Sequence, residues 1–447
     1  MLLLLVAAGV FGALAVREPA APDERPAAGA LASPVWSARR VPGAIVDPMT
    51  AVREVASADW LQQALDAEAL RYDRVCFVVR RGATVLASRN AAAGLIPAST
   101  QKLLVSAAAL ASLGPGFRFE TRAVATGTGP AIDRLIVVGS GDPVIRTAPF
   151  VDQGISTPLD GLADAIVAAG VRRVGTLVAD DGRYDRQRYV PTWKPAYRED
   201  LDVGPLGALV VDQGVTLASG KPALVDDPAR QLADDLAELL QARGVTVDDT
   251  GRGSAPGDAS TVATVTSQPL ETIVGWMLAV SDNSTAELLT KELGVRLRDE
   301  GSTTAGTAAV REVLGRLGVT LAGEPTVDGS GLDRDNRLTC GDLAAVLALG
   351  DRPDLHVLRD VLPGDPRPNG DGTVRAKGGY LDDVTGLAGV AGRDQPMLFA
   401  FVANGGVPKP SQNAVVGMRR VADLLAAYRP PERVPDALVP GPLPVGR

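Results

Sequence analysis

The chain has 447 residues, of which 46% are hydrophobic and 22% charged, with a formal net charge of −8. That is a globular composition, long enough for two or three cores. An acidic balance without a Lys/Arg cluster argues against a nucleic-acid partner, which needs a basic face. The two cysteines, Cys76 and Cys340, stand in no CxxC spacing, so no structural zinc site is expected. No other metal or cofactor is expected either.

Residues 1–16 (MLLLLVAAGVFGALAV) carry no charge. The run is shorter than the roughly 20 residues of a spanning helix and fits the apolar part of a secretory signal. Export to the cell envelope is expected, either as a secreted chain or tethered to the membrane by this segment. Residues 17–48, rich in Ala, Pro and charge, read as a flexible tether. Apolar runs at 75–79 and 83–87 predict a hairpin turned at Arg81-Gly82. Residues 99–113 predict an apolar helix stopped by Gly114-Pro115. Three further helices end in Gly-Val at Gly170, Gly244 and Gly318, and each is expected to hand over to a strand. With strand-like runs at 135–138, 176–179 and 398–402, the chain reads as mixed α and β. The proline-rich stretch 429–447 reads as a disordered tail.

Only six of the 45 basic residues are lysines, and two of these, Lys102 and Lys377, fall in motif-like settings. Lysine, unlike arginine, can be desolvated and lose its proton. In Ala98-Ser99-Thr100-Gln101-Lys102, the serine and lysine are three apart and share a helix face. A deprotonated Lys102 amine there can activate the weakly nucleophilic Ser99 hydroxyl. Ser281-Asp282-Asn283 follows an apolar helix, so a hydroxyl and a carboxamide can face one cleft. Lys377-Gly378-Gly379-Tyr380 reads as a strand whose glycines let a ligand approach the backbone. Alone, each of these segments equally fits a helix cap, a polar junction or a turn.

Together and in this order, the segments resemble the Ser-x-x-Lys, Ser-Asp-Asn and Lys-Thr-Gly set of penicillin-binding proteins and serine β-lactamases. Gly139-Ser140-Gly141-Asp142-Pro143, the Asp328-Gly329-Ser330-Gly331-Leu332 run with Arg334 and Asn336, and Leu387-Ala388-Gly389 narrow the likeness. They point to the D-alanyl-D-alanine carboxypeptidase/endopeptidase branch, the low-molecular-mass class C penicillin-binding proteins. The resemblance implies a transpeptidase-like fold, with an antiparallel sheet packed against helices and smaller inserted domain(s). Ser99 and Ser281 are 182 residues apart, so about 140 residues (119–261) must loop out of a catalytic domain formed by 49–118 and 262–428.

The resemblance assigns Ser99 as nucleophile and Lys102 as its base. It makes Ser281 a proton relay, gives Asn283 the substrate amide, and has Lys377 lower the Lys102 pKa and attract a carboxylate. The oxyanion donors would be the N–H groups of Ser99 and Tyr380. Peptidoglycan stem peptides and β-lactams are the implied partners; no oligomeric state is implied. Where the family has Lys-Thr-Gly-Thr, this chain has Gly378 and Tyr380, so both threonine hydroxyls that receive a carboxylate are absent. Tyr380, Thr385 and Arg375 are the alternatives, slow release of a terminal D-alanine is expected, and Gly378→Thr is expected to be tolerated and to raise turnover. The rival readings are a β-lactamase-like hydrolase, with Glu324 as its local carboxylate, and a catalytically weak peptidoglycan-binding protein of the same fold. The single histidine, His356, reads as a helix-surface residue. Cys76 and Cys340 could pair in an oxidising compartment, but two separately buried thiols are the expectation, because Cys76 alternates inward on an apolar strand.

Overall fold

A computed structural model describes residues 48–429 except 219, 394–395 and 408–411. The expected leader at 1–16, the tether up to residue 47 and the tail from residue 430 lie outside these residues.

Helix α1 (Pro48–Ala69) leads into the hairpin β1 (Arg74–Arg81) and β2 (Thr84–Arg89). Its turn uses Gly82 at φ +54°, a conformation glycine adopts without steric cost. A 3-10 turn at Ala98–Gln101 opens α2 (Lys102–Leu113). Next come β3 (Glu120–Ala125), β4 (Ala131–Val138), α3 (Leu159–Ala168), β5 (Arg173–Asp180), α4 (Pro228–Ala242), β6 (Thr246–Arg252) and β7 (Ser260–Thr266). The helices α5 (Leu270–Val280), α6 (Asn283–Arg298), α7 (Thr303–Arg316) and α8 (Cys340–Ala348) follow. The strands β8 (Val374–Leu381), β9 (Val384–Ala391) and β10 (Met397–Asn404), then α9 (Gln412–Ala427), complete the order. Gly170 and Gly244 hand over to β5 and β6 as expected, but no strand follows Gly318. There Val319 N–H bonds back to Leu314 O, and the chain runs on as a loop.

Two five-stranded sheets organise the molecule. The first, in the order β8-β9-β10-β1-β2, is antiparallel throughout and joins strands from the two ends of the described chain. Strand alternation sends Val75, Phe77 and Val79 to a core shared with α1 and α9. Cys76 and Val78 point the other way, into a core shared with α2, α5 and α8. Being buried on both faces explains why β1 reads as an unbroken apolar run. Residues 102–110 of α2 are all buried. A helix apolar on every side belongs inside a protein, and this one carries Lys102 in with it. The second sheet, in the order β6-β5-β4-β3-β7, draws only on residues 120–266, slightly past the limit of 261 read from the sequence. Helices α3 and α4 cover one face of it.

Cys76 and Cys340 form a disulfide, contrary to the separate thiols expected. Cys76 faces the helical side of its sheet and meets the first residue of α8, at a Cα–Cα distance of 5.9 Å. The bridge closes a sequence separation of 264 residues, so the entropy it removes from the unfolded chain is large, about 2–5 kcal/mol. Reduction, or Cys340→Ala, should lower the thermal melting midpoint accordingly, as followed by calorimetry with and without reductant. An unchanged midpoint would mean that the bridge contributes nothing.

Candidate active site

Ser99 sits in the 3-10 turn just before α2, and the residue ahead of it, Ala98, is held at φ +49°. A left-handed alanine costs roughly 1–2 kcal/mol, and strain of this kind recurs where function dictates the backbone. One turn later Lys102 is fully buried, and its Nζ lies 3.0 Å from Ser99 Oγ. The amine also reaches Asn283 Oδ1 at 2.7 Å and the Ser330 carbonyl at 2.7 Å. Burial pulls its pKa down to about 8 against the opposing field of Asp328, Asp282, Glu287 and Asp202.

The second motif occupies the junction of α5 and α6. Ser281 ends α5 in a left-handed conformation at φ +62°, and Asp282 caps α6 by accepting from Thr285 N at 2.6 Å. Asn283, the first residue of α6, accepts from Lys102 and donates from Nδ2 to Asp202 O at 2.8 Å. The residues between β3 and β7 grip this junction. Gln213 donates to the Asp282 carboxylate, and buried Arg146 lies in the field of Asp282, Asp212 and Asp142. Ser284 accepts from Gly204 N. Asp202, Gln213 and Arg146 were not singled out from the sequence; the Gly139–Pro143 segment was the only pointer to this region.

A third loop closes the floor. Asp328 accepts from Trp193 Nε1 (2.8 Å), Asn336 Nδ2 (2.8 Å), Gly331 N (2.8 Å) and Asp333 N (2.7 Å). Gly331, at φ +85°, brings this loop against the carbonyl of Ala98.

The strand β8 forms the remaining wall. Lys377 is buried and, among the described residues, has neither a hydrogen-bond nor an ion-pair partner. Its pKa lies well below that of an ordinary lysine, through burial first and the charge of Lys102 second. Burial is the first cause of the low Lys102 pKa, and repulsion between the two amines disfavours the charged form of each.

A Cβ on Gly379 would stand 2.8 Å from both Ser99 N and Thr100 N, so only glycine lets β8 run this close to Ser99. Gly378 faces the other way. A Cβ there would meet Met418 Sδ of α9 at 2.9 Å, so a threonine is tolerated only if that flexible side chain moves aside. Of the three substitutes for the missing hydroxyls, Thr385 donates to Ala414 O (2.8 Å) and Arg375 to Leu362 O (3.4 Å). Tyr380, 51% exposed on β8, is the one without such a commitment.

His356 is exposed and pairs with Asp360 at 3.0 Å, as a surface residue does. Glu324 is 72% exposed and paired with Arg311 at 2.5 Å, which does not suit a buried deacylating base. Among the described residues no cluster of three or more His, Cys, Asp or Glu could hold a metal. No described helix is long and apolar enough to cross a membrane.

The chain is 33% identical over 344 residues to a carboxypeptidase of Mycobacterium tuberculosis, covering 69% of this chain and 71% of the relative. It is 30% identical over 413 residues to a D-alanyl-D-alanine carboxypeptidase of Actinomadura sp., covering 72% and 75%. The crystal structure of penicillin binding protein 4 from Haemophilus influenzae superposes with a TM-score of 0.69 at 19% identity, covering 81% of this chain and 99% of that one, which supports the fold. The family model for D-Ala-D-Ala carboxypeptidase 3 (S13) matches residues 58–225 and 218–425. The chain therefore belongs to the D-Ala-D-Ala carboxypeptidase 3 (S13) family.

Proposed function

We propose that the chain cleaves D-alanyl peptide bonds of peptidoglycan through an acyl-enzyme on Ser99, and that β-lactams acylate the same oxygen. The observation that carries this reading is the buried Lys102 amine 3.0 Å from Ser99 Oγ, with its other two donors engaged. Neutral Lys102 takes the Ser99 proton as Oγ attacks the carbonyl carbon. The amides of Ser99 and Tyr380 receive the developing oxyanion, which the glycine-only approach of β8 supports. As the C–N bond breaks, Ser281 gives its hydroxyl proton to the departing amine and takes one from the Lys102 ammonium, which returns to the neutral amine. Asn283 orients Lys102 and the substrate amide, and Lys377, without a partner among the described residues, meets the terminal carboxylate, whose negative charge restores its ammonium form. Water then attacks the ester and returns Ser99 to its hydroxyl form.

Residues 119–261 serve in this reading as an inserted unit that clamps the second motif through Gln213 and Arg146. Action outside the cytoplasm follows from the family, and residues 1–16 would deliver the chain there as a cleaved leader or as an anchor.

A labelled penicillin should modify Ser99, and Ser99→Ala should abolish labelling in intact-mass and peptide-mapping measurements. A label mapping to another serine would overturn the assignment.

Because the neutral amine is the base and its pKa is about 8, the acylation rate should climb through pH 7 and level off above pH 8–9. Roughly a tenth of the amine is neutral at pH 7 and half at pH 8. Lys102→Arg should slow acylation by roughly a hundredfold or more. A flat pH profile, or a fast arginine variant, would leave Lys102 with an electrostatic role only.

Gly378→Thr should destabilise the fold by about 1 kcal/mol, at the low end of overpacking, because the flexible Met418 side chain must move aside. Adding Met418→Ala should couple favourably by roughly 0.5 kcal/mol or more in a double-mutant cycle. Any gain in turnover on a pentapeptide should appear only in the double variant. An unperturbed single variant would show that Met418 offers no obstacle.

A further inference from the structure

Glu287 lies one turn beyond Asn283 on the same face of α6 and is completely buried. Its Oε1 accepts from Gly329 N at 3.0 Å and from Ser330 N at 2.7 Å. The carbonyl of that same Ser330 accepts from Lys102 Nζ at 2.7 Å. One side chain thus anchors, through its N–H, the residue whose carbonyl is one of the acceptors of Lys102.

Its other oxygen, Oε2, is buried with no hydrogen-bond partner among the described residues. The neighbouring Asp328 differs sharply, since four N–H groups converge on its two oxygens. When two buried carboxyl groups share a site, they do not both ionise readily. Burial raises both carboxyls, and the donor count makes Asp328, with four N–H groups on it, the better anion of the two and Glu287 the better acid.

The charged groups facing Glu287 are Asp328 from the loop and Lys102 from α2. One turn along its own helix is Lys291, which is taken up by Asp185. Lys102 forms no hydrogen bond to Glu287, and all three of its donors have other acceptors.

We propose that Glu287 is a positioning residue that works as a neutral carboxylic acid, fixing the Gly329–Ser330 amides beneath Lys102 without adding a negative charge there. An ionised Glu287 would favour the ammonium form of Lys102 and weaken it as a base. A neutral one keeps the geometry and spares the base. Burial and the Asp328 charge push the Glu287 carboxyl up to about 8, in agreement with the donor count.

The inference rests on the Ser99–Lys102 reading, and its test can fail separately. Acylation of full-length protein by a fluorescent penicillin is measured against pH for wild type, Glu287→Ala and Glu287→Gln. The alanine variant should be slower by about tenfold or more. Glutamine, neutral and of the same shape, should recover most of that loss, and below about pH 7, where Glu287 keeps its proton, its rate should stay within roughly threefold of wild type. A glutamine variant as slow as alanine, or one more than about threefold faster than wild type below pH 7 through loss of a negative charge, would overturn the proposal. So would an alanine variant as fast as wild type.

Should the variants fail to fold, infrared spectroscopy of the wild type still decides. A protonated-carboxyl band should be present at neutral pH and fade as pH rises past about 8, and its absence would sink the idea. A wild type that penicillin never acylates would instead defeat the functional reading and leave the infrared result standing.

Discussion

The removal of the Lys102 amine from water is the constraint around which the other parts are arranged. A lysine ammonium in bulk water is a poor base because it holds its proton until far above neutral pH. Burying it at the head of an all-apolar helix lowers that affinity, but a buried amine must still be hydrogen-bonded. Three separate pieces of chain meet that need, through the Ser99 hydroxyl, the Asn283 carboxamide and the Ser330 carbonyl. Each acceptor comes from a different segment, so the buried amine fixes those segments relative to one another.

The second constraint is close approach. The left-handed Ala98 presents Ser99 toward β8, and β8 can come near only because Gly379 has no side chain. The same strand turns Lys377 into the site and Gly378 toward Met418, as alternation along a strand requires. A hydroxyl at position 378 is therefore a packing question on the far face before it is a recognition question. The disulfide from β1 to α8 ties the sheet to the helices that carry the site.

The region between β3 and β7 does more than extend the chain. Its Gln213, Asp202 backbone and Trp193 reach the second motif and the Asp328 loop, and Arg183 makes a bidentate pair with buried Glu292 on α6. Bidentate arginine–carboxylate pairs define orientation as well as distance. The geometry of α6, and with it Asn283 and Glu287, depends on residues far away in sequence.

Local chemistry was legible in the chain by itself. The three-residue spacing of Ser99 and Lys102, the apolar run of α2, the glycine stops at Gly114, Gly170 and Gly244, and the glycines of β8 all act within a few residues of one another. Helix and strand periodicity therefore reports them directly. The long gap before Ser281 corresponds in the structure to the residues that build the second sheet. Tertiary structure alone decided the rest. The Cys76–Cys340 bridge, the failure of Gly318 to start a strand, the Met418 behind Gly378 and the convergence on Asp328 all join residues remote in sequence. Glu287 shows the reason most plainly: in sequence it is one acid in a helix full of polar residues. Only the folding of the 328–331 loop against it takes away its water, gives one oxygen two donors and leaves the other none.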